Sequence, residues 1–160
     1  MFTTAEPVLE RRVIDQFLAL AIRCLRVTVG VDAVVAAMAD TAASRQTIAV
    51  ALDFFGDIQG PLTWVFPQPI ALELVRRLMA DPDPAPETAA DGATELANIL
   101  TGRASAALES HGFRCAIGVP RVHVGALPRG LAVRMTTVDG PIDVVLSMST
   151  VPMQPEPAVG

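Results

Sequence analysis

Asp91-Gly92-Ala93-Thr94-Glu95-Leu96-Ala97-Asn98-Ile99-Leu100-Thr101-Gly102 is the stretch on which the reading of this chain turns. At helical spacing Leu96, Ile99, Leu100, Ala104, Ala107 and Leu108 form one apolar stripe that faces a core. Asp91, Glu95, Asn98, Gly102 and Ser105 form the opposite stripe. An outward helix face normally carries Glu, Gln or Arg. Asn is a poor residue in a helix interior and Gly a worse one, costing about 1 kcal/mol relative to Ala. Asn98 and Gly102 thus give up local stability with no evident folding return, and Gly102 leaves its turn as bare backbone. The pattern reads as a face built for close approach by a partner.

On the N-terminal side, the run Asp81-Pro82-Asp83-Pro84-Ala85-Pro86 breaks the chain, so the motif helix spans about 87–110 with an acidic first turn that suits the helix dipole. Residues 67–79 form a helix before the break, with Ile70, Leu72, Leu74, Val75 and Leu78 inward and Glu73, Arg76 and Arg77 outward. Residues 46–53 and 62–66 are rich in Val, Ile, Phe and Trp and flank a Gly56-to-Pro61 loop, which predicts a strand hairpin. A first helix over 7–28 is marked by Val13, Phe17, Leu20, Ala21, Cys24 and Leu25. Beyond the motif helix, 119–124 reads as a strand, and 131–138 with 142–148 as a hairpin turned by Asp139-Gly140-Pro141. The fold class is α+β, a mainly antiparallel sheet of hairpins covered by long amphipathic helices. Helix and strand order suggests two similar halves, although no sequence repeat has a fixed period. Residues 1–150 form one domain, and the proline-bearing tail 151–160 is expected to be disordered.

Composition excludes several classes of function. The 12 basic residues are all Arg, the net charge is −5 and no basic stripe with interleaved aromatics occurs, so nucleic acid is not an expected partner. Without Lys or Tyr, neither Lys-based covalent catalysis nor phenolic acid catalysis is available. Cys24 and Cys115 lack Cys-x-x-Cys spacing and have only His111 and His123 to help them, which predicts two buried reduced thiols and no metal site. Phe17 to Met38 is the longest apolar stretch, but Arg23, Arg26 and Asp32 interrupt it, so no membrane insertion is expected. No signal-peptide pattern opens the chain, and a cytoplasmic location follows as the default. Neither Gly-x-Ser-x-Gly nor a phosphate-cradling loop is present.

The remaining polar residues have structural readings of their own. Asp91 serves equally as a cap or dipole partner or in a direct role. Pro120 opens a strand, where proline is tolerated. His111 complements a helix C-terminus, His123 points outward from a strand, and Trp64 and the Phe residues fill the core.

The run Glu95-Leu96-Ala97-Asn98-Ile99-Leu100-Thr101-Gly102, with the later Val119-Pro120-Arg121-Val122-His123-Val124-Gly125, resembles CheX, of the CheC/CheX/FliY phosphatases that dephosphorylate the chemotaxis response regulator CheY. Asp91, Glu95, Asn98 and Pro120 fill the family pattern, with an Asn-to-Pro gap one residue short of it. The resemblance implies a CheC-like two-layer fold with an internal pseudo-duplication and a homodimer. It also implies a phosphorylated CheY-like regulator as partner, with Glu95 and Asn98 catalytic and Asp91, Gly102 and Ser105 touching the partner.

Phosphoryl transfer is catalysed chiefly by alignment and electrostatics, so a chain lacking a metal or nucleophile can still act by positioning a water. Asn98 suits that role, because an amide both accepts from and donates to water without adding charge. Glu95 would pair with the regulator's active-site lysine, as the resemblance implies. The chain needs no cofactor of its own, and Mg2+ belongs to the regulator. The first helix offers Arg11, Arg12, Asp15 and Gln16 but no Glu-x-x-Asn, so one site is expected and not two. The competing reading is a noncatalytic adaptor that uses the same stripe for recognition alone. A small-ligand binding domain is the third and has no convergent polar pocket behind it.

Overall fold

A computed structural model describes residues 9–38, 47–123, 127 and 129–150. The element order is α1 (Arg11–Val29), β1 (Ala33–Met38), β2 (Thr47–Gly56), β3 (Ile58–Pro67), α2 (Gln68–Leu78), α3 (Thr88–Glu109), β4 (Cys115–Ile117), β5 (Arg121–His123), β6 (Leu131–Thr137), β7 (Gly140–Leu146) and β8 (Ser149–Thr150). All strand pairs are antiparallel, and the three helices pack with the sheet in the predicted α+β arrangement. The tail expected to be disordered, 151–160, lies outside the described residues.

Strand order is β1-β6-β7-β3-β2-β4, with β5 also on β2 and β8 on β3. This order is symmetric about the β7–β3 pair. Each half supplies a helix and three successive strands, α1-β1-β2-β3 and α3-β4/β5-β6-β7. The third strands of the halves meet at the centre, and the first strand of each pairs with the second strand of the other. The duplication is therefore visible in topology although no sequence repeat announces it.

Several expectations are corrected in detail. β1 is hidden at the end of the apolar run that begins with the first helix. Gly30, in the left-handed region at φ 69°, donates its N–H to the Arg26 carbonyl and ends α1, which frees the chain to enter the sheet. The predicted Gly56-to-Pro61 loop shrinks to a bend at Asp57: β2 and β3 stay paired from Thr47↔Pro67 out to Phe54↔Gly60. The strand predicted at 119–124 is the short β5, and the apolar segment before it forms β4.

Trp64 on β3 is fully buried and stacks on Phe66, with Phe17 of α1 beside it. Its indole N–H donates to the Thr101 hydroxyl on α3 at 2.9 Å. A buried polar group must be satisfied, so this bond fixes the rotation of α3 over the sheet. Gly92 sets the second constraint. A Cβ there would lie 2.0 Å from Val75 Cγ2, so only glycine lets α2 and α3 approach this closely. Among the described aromatics expected in the core, Phe55 is exposed on the sheet and Phe113 is half-buried.

Candidate functional site

With α3 held by Thr101 and Gly92, its outward face presents Asp91, Glu95 and Asn98, all exposed, with half-buried Gly102 one turn on. Ser105 is the departure. It is buried, and its hydroxyl donates to the Gly102 carbonyl at 3.0 Å. The stripe itself runs straight, but its far end passes beneath the sheet edge, where Cys115 Sγ of β4 lies 4.0 Å from the Ser105 carbonyl oxygen. Four of the five stripe residues are thus accessible, and Ser105 supports the backbone beneath Gly102.

Asp91 is not the cap, since Glu87 holds the N-cap position with no side-chain cap bond. Glu87, Asp91 and Glu95 follow one another at successive turns, all exposed. Like charges at this spacing cost about 0.2–0.5 kcal/mol per pair. The helix dipole offsets that cost for the carboxylates nearest the N-terminus, but its influence fades beyond the first turn, where Glu95 stands. Among the described residues, neither Glu95 nor Asn98 has a hydrogen-bond or ion-pair partner. An unpaired acid and an unengaged amide one turn apart can accept from an incoming cation and hold a water simultaneously.

Gly102 completes the face. A methyl group there would meet only Ile117 Cδ1, at an ordinary 3.7 Å, so among the described residues no neighbour requires glycine at this position. This is the opposite of Gly92, which the core demands and whose role the local sequence does not signal. The closeness of Gly92 to Val75 follows only from the packing of α2 on α3.

Other groups are less suited to chemistry. Burial, then the nearby charges of Glu109 and Asp57, push the Cys115 thiol above its ordinary value, which keeps it protonated and a poor nucleophile. Both thiols are free, Cys24 buried as expected and Cys115 only half-buried, because the short β4 that carries it lies at the sheet edge. Among the described residues no cluster of three His, Cys, Asp or Glu side chains could hold a metal ion, and no helix is long and apolar enough to cross a membrane. A cavity of ≈ 220 Å³ lies between the start of α1 and the end of α3, lined by Arg12, Val13, Gln16, Leu108, His111 and Phe113, and touches no stripe residue. His123 belongs to β5, half-buried, and Pro120 directly precedes that strand, as its residue type predicts.

Residues 48–132, more than half of the chain, match the family model described as chemotaxis phosphatase CheX. No curated protein sequence matches significantly. Among solved structures, the chain is similar to a chemotaxis protein CheX from Desulfovibrio desulfuricans, with TM-score 0.69, 16% identity, and 88% of this chain and 99% of that one covered. A CheX from Vibrio vulnificus gives TM-score 0.69 at 18% identity, covering 86% of this chain and 96% of that one. The CheX of a CheX-CheY-BeF3-Mg2+ complex from Borrelia burgdorferi gives TM-score 0.64 at 21% identity, covering 86% and 97%. At these identities the structural likeness establishes the CheC-like fold.

Proposed function

The chain belongs to the CheX family of chemotaxis phosphatases, and from that premise we propose that it hydrolyses the aspartyl phosphate of a CheY-like response regulator. The observation that carries this reading is the exposed, unpartnered Glu95 and Asn98 on a helix face whose rotation is fixed from inside by the Trp64–Thr101 hydrogen bond. The regulator brings the phosphoryl group and its Mg2+. The helix face enters the regulator's active site, where Glu95 accepts a hydrogen bond from a cationic side chain and Asn98 orients the attacking water in line with the phosphorus. Because this alignment converts a random encounter into a positioned one, a single amide suffices for a large acceleration. Asp91 and Gly102 meet the regulator alongside, Gly102 by exposing backbone. Ser105 acts at one remove, from beneath.

The chain acts as a homodimer through β1. Among the described residues that strand pairs only with β6, and it leaves Val34 and Val35 exposed on an edge with neither proline nor charge to protect it. The α3 face stays outside such an interface. The protein works in the cytoplasm, where regulators of this kind are found.

The test is the decay of phosphoryl label from the regulators encoded near this chain's gene, with and without the protein. Faster decay is the expected result. Binding with an unchanged decay rate would establish the adaptor reading in its place.

A further inference from the structure

Beside the α3 stripe, the edge strand of the same half carries two exposed valines. Ile117 pairs with Phe54, and Val122 with Val50, so both side chains stand on the helix-bearing face of the sheet. Three residues separate Ile117 from Arg121 on the edge strand, but only two separate their partners Phe54 and Ala51 on β2. The extra residue is a β-bulge at Gly118-Val119-Pro120. Bulges of this kind re-aim side chains at sheet edges and beside functional sites. Val119 is 85% exposed and Val122 48%.

The bulge is held firmly. The Gly118 N–H donates to the Asp53 carbonyl at 2.9 Å, and the Arg121 guanidinium makes two hydrogen bonds to the Asp53 carboxylate, at 2.6 and 3.2 Å. Those bonds hold the Arg121 guanidinium above its ordinary pKa. Pro120 removes an N–H from the middle of this edge, which discourages strand addition by a second copy.

Register places Val122 against the stripe, and Val119 lies in the bulge that leads to it. α3 packs on β2, β4 and β5, and as the edge strand advances from Cys115 to Ile117, its neighbour on α3 retreats from Ser105 to Gly102. Val122 lies four β2 positions beyond Ile117, roughly 13 Å at the usual strand rise. That distance corresponds to about nine residues back along α3, abreast of the turns holding Asp91, Glu95 and Asn98.

We propose that Val119 and Val122 form an apolar ledge that docks the response regulator alongside the α3 stripe and sets which regulator is accepted. This rests on the phosphatase reading above. The occupant is one protein that covers both surfaces. The three carboxylates Glu87, Asp91 and Glu95 call for a cationic patch, and the rigid valines beside them call for an apolar one. Rigid exposed valines cost little conformational entropy to bury, so they suit discrimination between partners.

The experiment compares wild-type protein with a Val119→Thr/Val122→Thr double variant, near-isosteric and at exposed positions, in dephosphorylation of the chain's own phosphorylated regulator. The regulator concentration giving half-maximal rate should rise about tenfold while the maximal rate stays within about twofold, since only uniform binding is lost. An unchanged half-saturating concentration, in a variant whose melting temperature matches wild type, overturns the ledge while leaving the phosphatase reading intact. A fall in maximal rate alone also overturns it, because docking would then not be its role. Wild-type protein that accelerates no regulator overturns both.

Discussion

Helices α1 and α3 occupy matching places in the two halves of the molecule, and their buried faces agree along a row spaced four residues apart. Val13, Phe17, Ala21, Leu25 and Val29 correspond to Gly92, Leu96, Leu100, Ala104 and Leu108, all buried. The same match sets Arg12, Gln16, Ala19 and Arg23 opposite Asp91, Glu95, Asn98 and Gly102. On α1 the charges of the first turns pair locally, Arg12 with Glu10 and Arg11 with Asp15, and among the described residues Arg23 alone of the matched stripe's charges has no such partner. On α3 they are left open. The edge strands divide in the same way: both carry a one-residue bulge, but β1 continues through it, while β4 and β5 are separated by Gly118-Val119-Pro120. One architecture, used twice, thus gives a first helix whose opening charges pair locally and a second whose acidic face is unfinished without a partner.

The difference inside the halves is the most costly to disturb. Gly92 stands where α1 has Val13, so Gly92→Ala drives a methyl into Val75 and should destabilise the protein by about 1–3 kcal/mol. Chemical denaturation measures this, and an unchanged midpoint would mean that α3 is not seated by Gly92. Next in size is Glu95→Ala, which should weaken association with the activated regulator by about 1–3 kcal/mol and leave the fold unaltered. Titration of regulator into the variant decides it, and equal affinity would remove Glu95 from the interface.

Gly102→Ala separates folding from function. The methyl has room beside Ile117, so helix propensity should raise stability by up to about 1 kcal/mol while regulator binding weakens. Greater stability with unaltered binding would show that no partner backbone comes near. The smallest effect is expected on the other half: Gln16→Ala and Arg23→Ala on α1 should leave the phosphatase rate within about twofold, both residues being exposed and outside the core. A large loss would mean that the first half carries a second site.

Much of this is legible in the amino-acid sequence. The boundaries of α2 and α3 follow from Pro67, the Pro82-to-Pro86 run and apolar spacing, because proline and periodicity are local signals. Glu95 and Asn98 are legible for the converse reason: helix propensity does not favour Asn98, and no local pairing explains either residue. Three features are not legible, and each depends on contacts distant in sequence. Ser105 is covered by β4, Gly92 is demanded by Val75, and the bulge beside Val119 exists only relative to the count of residues on β2. β1 is masked because its apolar residues continue those of α1, and only Gly30 marks the change.

The role proposed for Asn98 is to position the water that attacks the regulator's phosphoryl group. The most direct measurement is single-turnover loss of phosphate from the regulator with saturating wild-type or Asn98→Ala protein, alongside the affinity of each for the regulator held active by BeF3 and Mg2+. Asn98 is exposed and contributes no buried contact, so the expected result is an intact fold and unchanged affinity, with the rate lowered on the order of 10²-fold. A folded Asn98→Ala protein that retains a near wild-type rate would contradict it.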